Sequence, residues 1–192
     1  EEANDYVSKE TIVTSGSSTI SITTLAEAYA HPEQLFITHW LNPAFIVPLV
    51  EVARTEETRE DSVETITRVL EDVGKEPVVC RDSPGFIGSR IQAVAMNEAV
   101  RIIEEGVASP EQIDRAIKSG VGFRLAVLGL VEFIDLGGVD ILYYANEYLS
   151  GKLGDRFENP ETVREKFNNN ELGPKTGKGY YDYDDVDVEA MF

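Results

Sequence analysis

The chain carries two histidines, and their settings differ. His39 closes the apolar run Leu35-Phe36-Ile37-Thr38 and leads into Trp40-Leu41-Asn42-Pro43. Further on, Glu51 interrupts a second apolar run, Val47-Pro48-Leu49-Val50-Glu51-Val52. A carboxylate in such a stretch must find a partner, because desolvating it alone costs several kcal/mol. Placed beside an imidazole, it fixes the ring tautomer and stabilises the imidazolium that forms when the ring takes a proton. That is the make-up of a general base working near neutral pH. Taken alone, the residues leave a second reading open for each: a structural histidine, and a glutamate exposed on an edge strand. His31, in Ala30-His31-Pro32-Glu33, reads as part of an exposed turn with no catalytic role.

These side chains need elements to hold them. Thr11–Thr14 is a short β-branched strand before a Ser15-Gly16-Ser17-Ser18 turn. A helix over Ile22–Tyr29, capped by Ser21 or Thr23, ends near His31-Pro32. Leu35–Thr38 forms the next strand and puts His39 at its carboxyl end, the side on which open α/β sheets gather ligands. Leu49–Val52 is a strand. Glu57–Val73 is a helix with Val63, Ile66, Val69, Leu70 and Val73 on one face, stopped by Gly74. Pro77–Cys80 is another strand. This alternation predicts a parallel or mixed sheet. After residues 81–85 the character becomes helical. Phe86–Val107 is apolar around most of its circumference, so it is expected at the centre of a bundle or in a subunit contact. Further helices are expected at about 111–119, 126–136, 139–150 and 160–169, before the glycine-rich Gly173–Tyr181 turn.

Composition narrows the class. The 192 residues are 42% hydrophobic, enough for a sizeable core. The longest apolar runs fall far short of the roughly 20 residues that cross a bilayer, and no secretory leader is visible at the start. The single cysteine, Cys80, excludes an internal disulfide or a cysteine-built zinc site, and a cytoplasmic chain is expected. The net charge of −18 argues against nucleic acid, which calls for a basic stripe. Acids concentrate in 56–64 and 182–189; a salt-rich cytoplasm and an ordinary acidic surface both account for them.

Several motifs occur in order. They are His39-Trp40-Leu41-Asn42-Pro43, Pro48-Leu49-Val50-Glu51-Val52 and Asp82-Ser83-Pro84-Gly85-Phe86-Ile87, then Met96-Asn97-Glu98-Ala99, Glu104–Ala108, Asp114-Arg115-Ala116 and Lys175–Tyr181. Together, from Thr11 onward, the chain resembles the L-3-hydroxyacyl-CoA dehydrogenase family. The resemblance implies an α/β remnant of a Rossmann-type NAD-binding domain over 1–81. An all-α C-terminal domain for substrate binding and dimerisation would follow over 82–192. It implies NAD-dependent oxidation of an L-3-hydroxyacyl-CoA, of short chain such as 3-hydroxybutyryl-CoA, with a homodimer formed through the helical domain. His39 would be the base and Glu51 its orienting partner. Ser18 would touch substrate and cofactor, Ser89 the substrate, and Asn42 and Lys175 the cofactor. Without the resemblance, Ser18, Asn42 and Lys175 read as a turn former, a helix cap and a solvated lysine. The chain departs from the family pattern at Ser89 and Gly16, where asparagine is usual.

The dinucleotide fingerprint, Gly-x-Gly-x-x-Gly after a strand with an acidic residue about 20 positions on, does not occur. Most of the NAD site is therefore expected outside these residues, and this chain by itself is expected to be inactive. Two other readings stay open: a related sugar-acid or carnitine dehydrogenase, which shares a segment like residues 48–52, and a dimerisation module without turnover.

Overall fold

The computed structural model describes residues 2–18 and 20–184. The chain divides into two compact units, Glu1–Val107 and Ala108–Phe192.

The first unit is built on a four-stranded mixed sheet in the order β1 (Val13–Ser15), β2 (Leu35–Trp40), β3 (Leu49–Arg54), β4 (Glu76–Arg81). β1 runs parallel to β2, β3 antiparallel to β2, and β4 parallel to β3. Both faces are covered, so the central strands read as apolar runs rather than as a clean alternation. Leu35, Ile37 and Ala53 pack on one face with Ile22 and Phe86. Phe36, Val50 and Val52 pack on the other with Val63 and Leu70 of helix α2 (Glu60–Asp72).

Helix α1 (Ile22–Ala26) is shorter than its sequence suggests; Ser21 caps it by accepting the Thr23 N–H at 3.1 Å. Helix α2 buries a narrower stripe than expected. Val69 and Val73 are 50% and 66% exposed, because the contact runs through Val63, Ile66 and Leu70 and leaves them on its flank. Between β2 and β3 the chain loops through a cis Asn42–Pro43 peptide. The Lys75 ammonium ties this loop by donating to the Ala44 and Val47 carbonyls.

Helix α3 (Gly88–Glu104) begins two residues later than predicted, because Gly85 and Phe86 take left-handed backbone at φ +76° and +45°. No residue of α3 is buried, and Val94 is 67% exposed. The expected place at the centre of a bundle is thus not what the chain shows. An all-round apolar helix reports how much surface asks for cover, and within the first unit much of that surface on α3 stays exposed.

The second unit is helical: α4 (Pro110–Ala116), α5 (Gly122–Leu125), α6 (Leu130–Gly137), α7 (Val139–Leu153) and α8 (Glu161–Asn168). A π-turn over Ile117–Val121 joins α4 to α5. Ser109 caps α4, with Pro110 in its first turn as read from sequence. Helices α7 and α8 are pinned by the Tyr143 and Phe167 rings, stacked at 4.0 Å. Buried Asn159 also donates to the Tyr143 carbonyl and the Glu147 carboxylate. Among the described residues no helix is long and apolar enough to cross a membrane.

Candidate active site

The antiparallel register sets His39 directly opposite Glu51. Residues opposite each other on neighbouring strands point to the same face, so the two side chains meet without any long-range coincidence. The His39 Nδ1 and Glu51 Oε2 lie 2.7 Å apart, with His39 5% and Glu51 0% exposed. The edge-strand reading of Glu51 is thereby excluded.

A wholly buried carboxylate needs further donors, and they come from the start of α3. The backbone N–H groups of Ile87 and Gly88 both donate to Glu51 Oε1 at 2.8 Å. These are unpaired amides at the positive end of a 17-residue helix, a setting that favours a negative charge. One oxygen is thus held by the helix and the other is turned to the imidazole. Since a carboxylate only accepts, Nδ1 carries a proton toward it, and in the neutral form of the ring Nε2 then keeps its lone pair. The ring also packs on Phe86, centroids 5.4 Å apart. That residue's left-handed backbone, costly for a side chain of this size, swings it over the imidazole and brings α3 to Glu51.

The other candidate positions fall into three groups. Ser89 is half-buried in the first turn of α3, next to the Gly88 amide that holds Glu51. Ser18 is exposed and lines a cleft of about 460 Å³ with Ser21, Thr23, Thr24, Ser83 and Phe86, the residue that packs on His39. Asn42 is exposed on the loop after β2. Lys175 belongs to the second unit, where its ammonium pairs with Asp140. His31 is half-buried at a turn, 3.8 Å from Glu33. Cys80 packs against the first core cluster; burial pushes its thiol pKa up, and the Glu51 and Asp82 charges add to that.

Sequence reading missed the Ile87 and Gly88 amides, since a backbone donor leaves no side-chain signature. It also missed Asp82, which accepts from the Ser21 and Thr23 hydroxyls and joins the end of β4 to α1. No cluster of metal ligands occurs among the described residues.

A dinucleotide makes two demands. Among the described residues no glycine-rich turn between strand and helix offers a phosphate cradle; β1 leads through Ser15-Gly16-Ser17-Ser18 into the five-residue α1. The hydroxyl-lined cleft at Ser18 does suit the carboxamide and ribose of a nicotinamide end, which need donors and acceptors together.

The profile of the 3-hydroxyacyl-CoA dehydrogenase NAD binding domain matches residues 1–83, and that of the 3-hydroxyacyl-CoA dehydrogenase C-terminal domain matches residues 85–183. The chain belongs to the 3-hydroxyacyl-CoA dehydrogenase family. Among its relatives is a probable 3-hydroxybutyryl-CoA dehydrogenase of Deinococcus radiodurans, 36% identical over 95% of this chain and 65% of that protein. Another is the 5-formyl-3-hydroxy-2-methylpyridine 4-carboxylate 5-dehydrogenase of Mesorhizobium japonicum, 34% identical over 96% of the chain and 60% of that protein. A crystal structure of a 3-hydroxyacyl-CoA dehydrogenase from Archaeoglobus fulgidus superposes with a TM-score of 0.81 at 34% identity, covering 95% of this chain and 64% of that one. The chain therefore spans less than two thirds of the length of these relatives. The fold is that of the family: an NAD-binding-type sheet unit followed by a helical unit.

Proposed function

We propose that the protein carrying this chain oxidises the 3-hydroxyl of an L-3-hydroxyacyl-CoA to the ketone, with NAD as acceptor and 3-hydroxybutyryl-CoA as the substrate. The buried 2.7 Å contact between His39 and Glu51 carries this reading. With Nδ1 committed to the carboxylate, Nε2 takes the hydroxyl proton, and Glu51 balances the imidazolium that results. Bound NAD would supply the hydride acceptor for the carbon that bears this hydroxyl. Ser18 and Ser89 contact the substrate in this reading, while Ser18, Asn42 and Lys175 contact the cofactor. The division into a sheet part over 1–81 and a helical substrate and dimerisation part over 82–192 belongs to the same proposal, as does a cytoplasmic setting.

The Mesorhizobium relative motivates a second reading, since its name gives a pyridine carboxylate as substrate at comparable identity. Assays of 3-hydroxybutyryl-CoA and of that pyridine with NAD separate the two. Turnover of the acyl-CoA is expected, and His39→Ala should lower it by about 10²–10⁴-fold by removing the base. Near-normal turnover in that variant, or a clear preference for the pyridine, overturns the reading.

The homodimer is supported by the uncovered apolar residues of α3, such as Val94 and Val100. Burying such a surface contributes about 25 cal/mol per Å², and two-fold pairing is the commonest way to do so. Sedimentation at micromolar concentration should show a dimer; a monomer would remove this part of the proposal.

A further inference from the structure

The second unit holds a buried acid that the proposed chemistry does not use. Asp135, in the last turn of α6, is 1% exposed. Its Oδ1 accepts the Tyr180 N–H at 2.9 Å, and its Oδ2 accepts the Tyr181 N–H at 2.9 Å and the Tyr183 hydroxyl at 3.2 Å. Neither amide nor phenol is a cation. A buried carboxylate without one is a weak route to stability, and an apolar residue of similar volume often serves as well. Directed hydrogen bonds add something else, a single path for the segment that donates them.

That segment is pressed onto α6 along its length. Gly173, at φ +99°, lies so close to the Asp135 carbonyl oxygen that a Cβ there would overlap it, and a Cβ on Gly179 would overlap the Asp135 carboxylate. At the start of the segment the Val139 N–H bonds the Leu172 carbonyl. Between these anchors the Pro174–Thr176 turn holds out Lys175, whose side chain is 46% exposed. Its ammonium is gripped by Asp140 in the first turn of α7, and that contact holds the Asp140 carboxyl below the usual range. The two acids flank the Gly138 corner where α6 turns into α7. One sets the course of the segment, and the other aims its exposed cation.

We propose that Asp135 and Asp140 are positioning residues for Lys175. The proposal rests on the reading of Lys175 as a contact to NAD and deepens it: the contact is pre-formed by the α6–α7 corner rather than gathered by the cofactor. Burial and the Asp135 charge leave a signature for the experiment, since they push the Tyr183 phenol up to about 12.

The test uses Asp135→Asn, Asp140→Asn and Lys175→Ala in the protein that carries this chain. Each carboxylate variant is expected to raise the KM for NAD by about 3–10-fold while leaving kcat within about twofold, the pattern of a lost binding contact. Neither should add to the effect of Lys175→Ala when combined with it, because residues acting through one group are not additive. An ultraviolet titration should show the Tyr183 step falling from about 12 toward the ordinary 10 in Asp135→Asn and staying in place in Asp140→Asn. If Asp135→Asn does not fold, Asp140→Asn decides, since that side chain is only partly buried and keeps its shape. A raised KM in Lys175→Ala with an unchanged KM in Asp140→Asn overturns the proposal and leaves the reading of Lys175 standing. An unchanged KM in Asp135→Asn, once its Tyr183 step has moved, removes Asp135 from the proposal. No change in Lys175→Ala overturns the reading of Lys175 as a cofactor contact, and the proposal falls with it.

Discussion

Glu51 and Asp135 are both buried acids, 0% and 1% exposed, and each is held by two backbone amides. They differ in how the donors are shared out. Glu51 receives both amides on Oε1 and has Oε2 to give to an imidazole. Asp135 receives one amide on each oxygen, and a phenol takes the remaining place on Oδ2. Burial and charge are alike at the two sites, so neither distinguishes chemistry from architecture. On Glu51 one oxygen is free of the backbone and turned to the base, whereas on Asp135 both oxygens are tied to backbone amides. The partner matters as well: an imidazole exchanges its proton near neutral pH, whereas a phenol keeps its proton there.

The sharpest way to break this comparison is Glu51→Gln. The amide oxygen can still accept from Ile87 and Gly88, but the NH2 group then faces Nδ1 and obliges it to accept. The ring proton moves to Nε2, the nitrogen that has to be empty. Steady-state kinetics should show turnover falling by about 10²–10⁴-fold, with a near-native circular dichroism spectrum. A fall of less than about tenfold would mean that Glu51, like Asp135, is architectural.

A smaller effect is expected from Tyr183→Phe. It removes a hydrogen bond to a charged acceptor, worth about 1.5–3 kcal/mol near neutral pH. The phenol pKa is raised in the fold, so its stabilisation is complete below the ordinary value of 10 and is lost as pH climbs to about 12. Denaturation at a series of pH values should show the wild-type advantage constant up to pH ~9 and shrinking above it. An advantage that persists unchanged beyond 12 would separate Tyr183 from the Asp135 charge.

The reach of the sequence differs between the same two acids. Glu51 was readable because a charge broke an apolar run and a histidine ended the neighbouring one. Asp135 carries the same mark, standing in Val131-Glu132-Phe133-Ile134-Asp135-Leu136, but no histidine ends a neighbouring run to give it a partner. The glycines of 173–179 were legible as a turn, but not as a surface shaved flat against α6, since close approach is a property of the partner. Strand positions followed from β-branched and apolar runs, with errors at the ends: β2 and β3 extend further because ladder bonds continue past the apolar stretch. Helix α3 shows the opposite failure. Its composition states a need for cover, and no pattern within the chain says who meets it.

The strand register that joins the dyad also guards it. Side-chain direction alternates along β3, so the pairing of β2 with β3 obeys a parity rule. A slip of one position, by insertion or deletion within β3, would exchange Glu51 for Val50 or Val52. The carboxylate would then enter the Phe36, Val63 and Leu70 cluster, with no amides or imidazole to receive it. Such an error cannot yield a weakened base. It yields an unpaired charge in a packed core, at a cost of several kcal/mol. A change of length that keeps this pairing has to fall in the loop over 41–48, which the Lys75 ammonium ties by donating to the Ala44 and Val47 carbonyls.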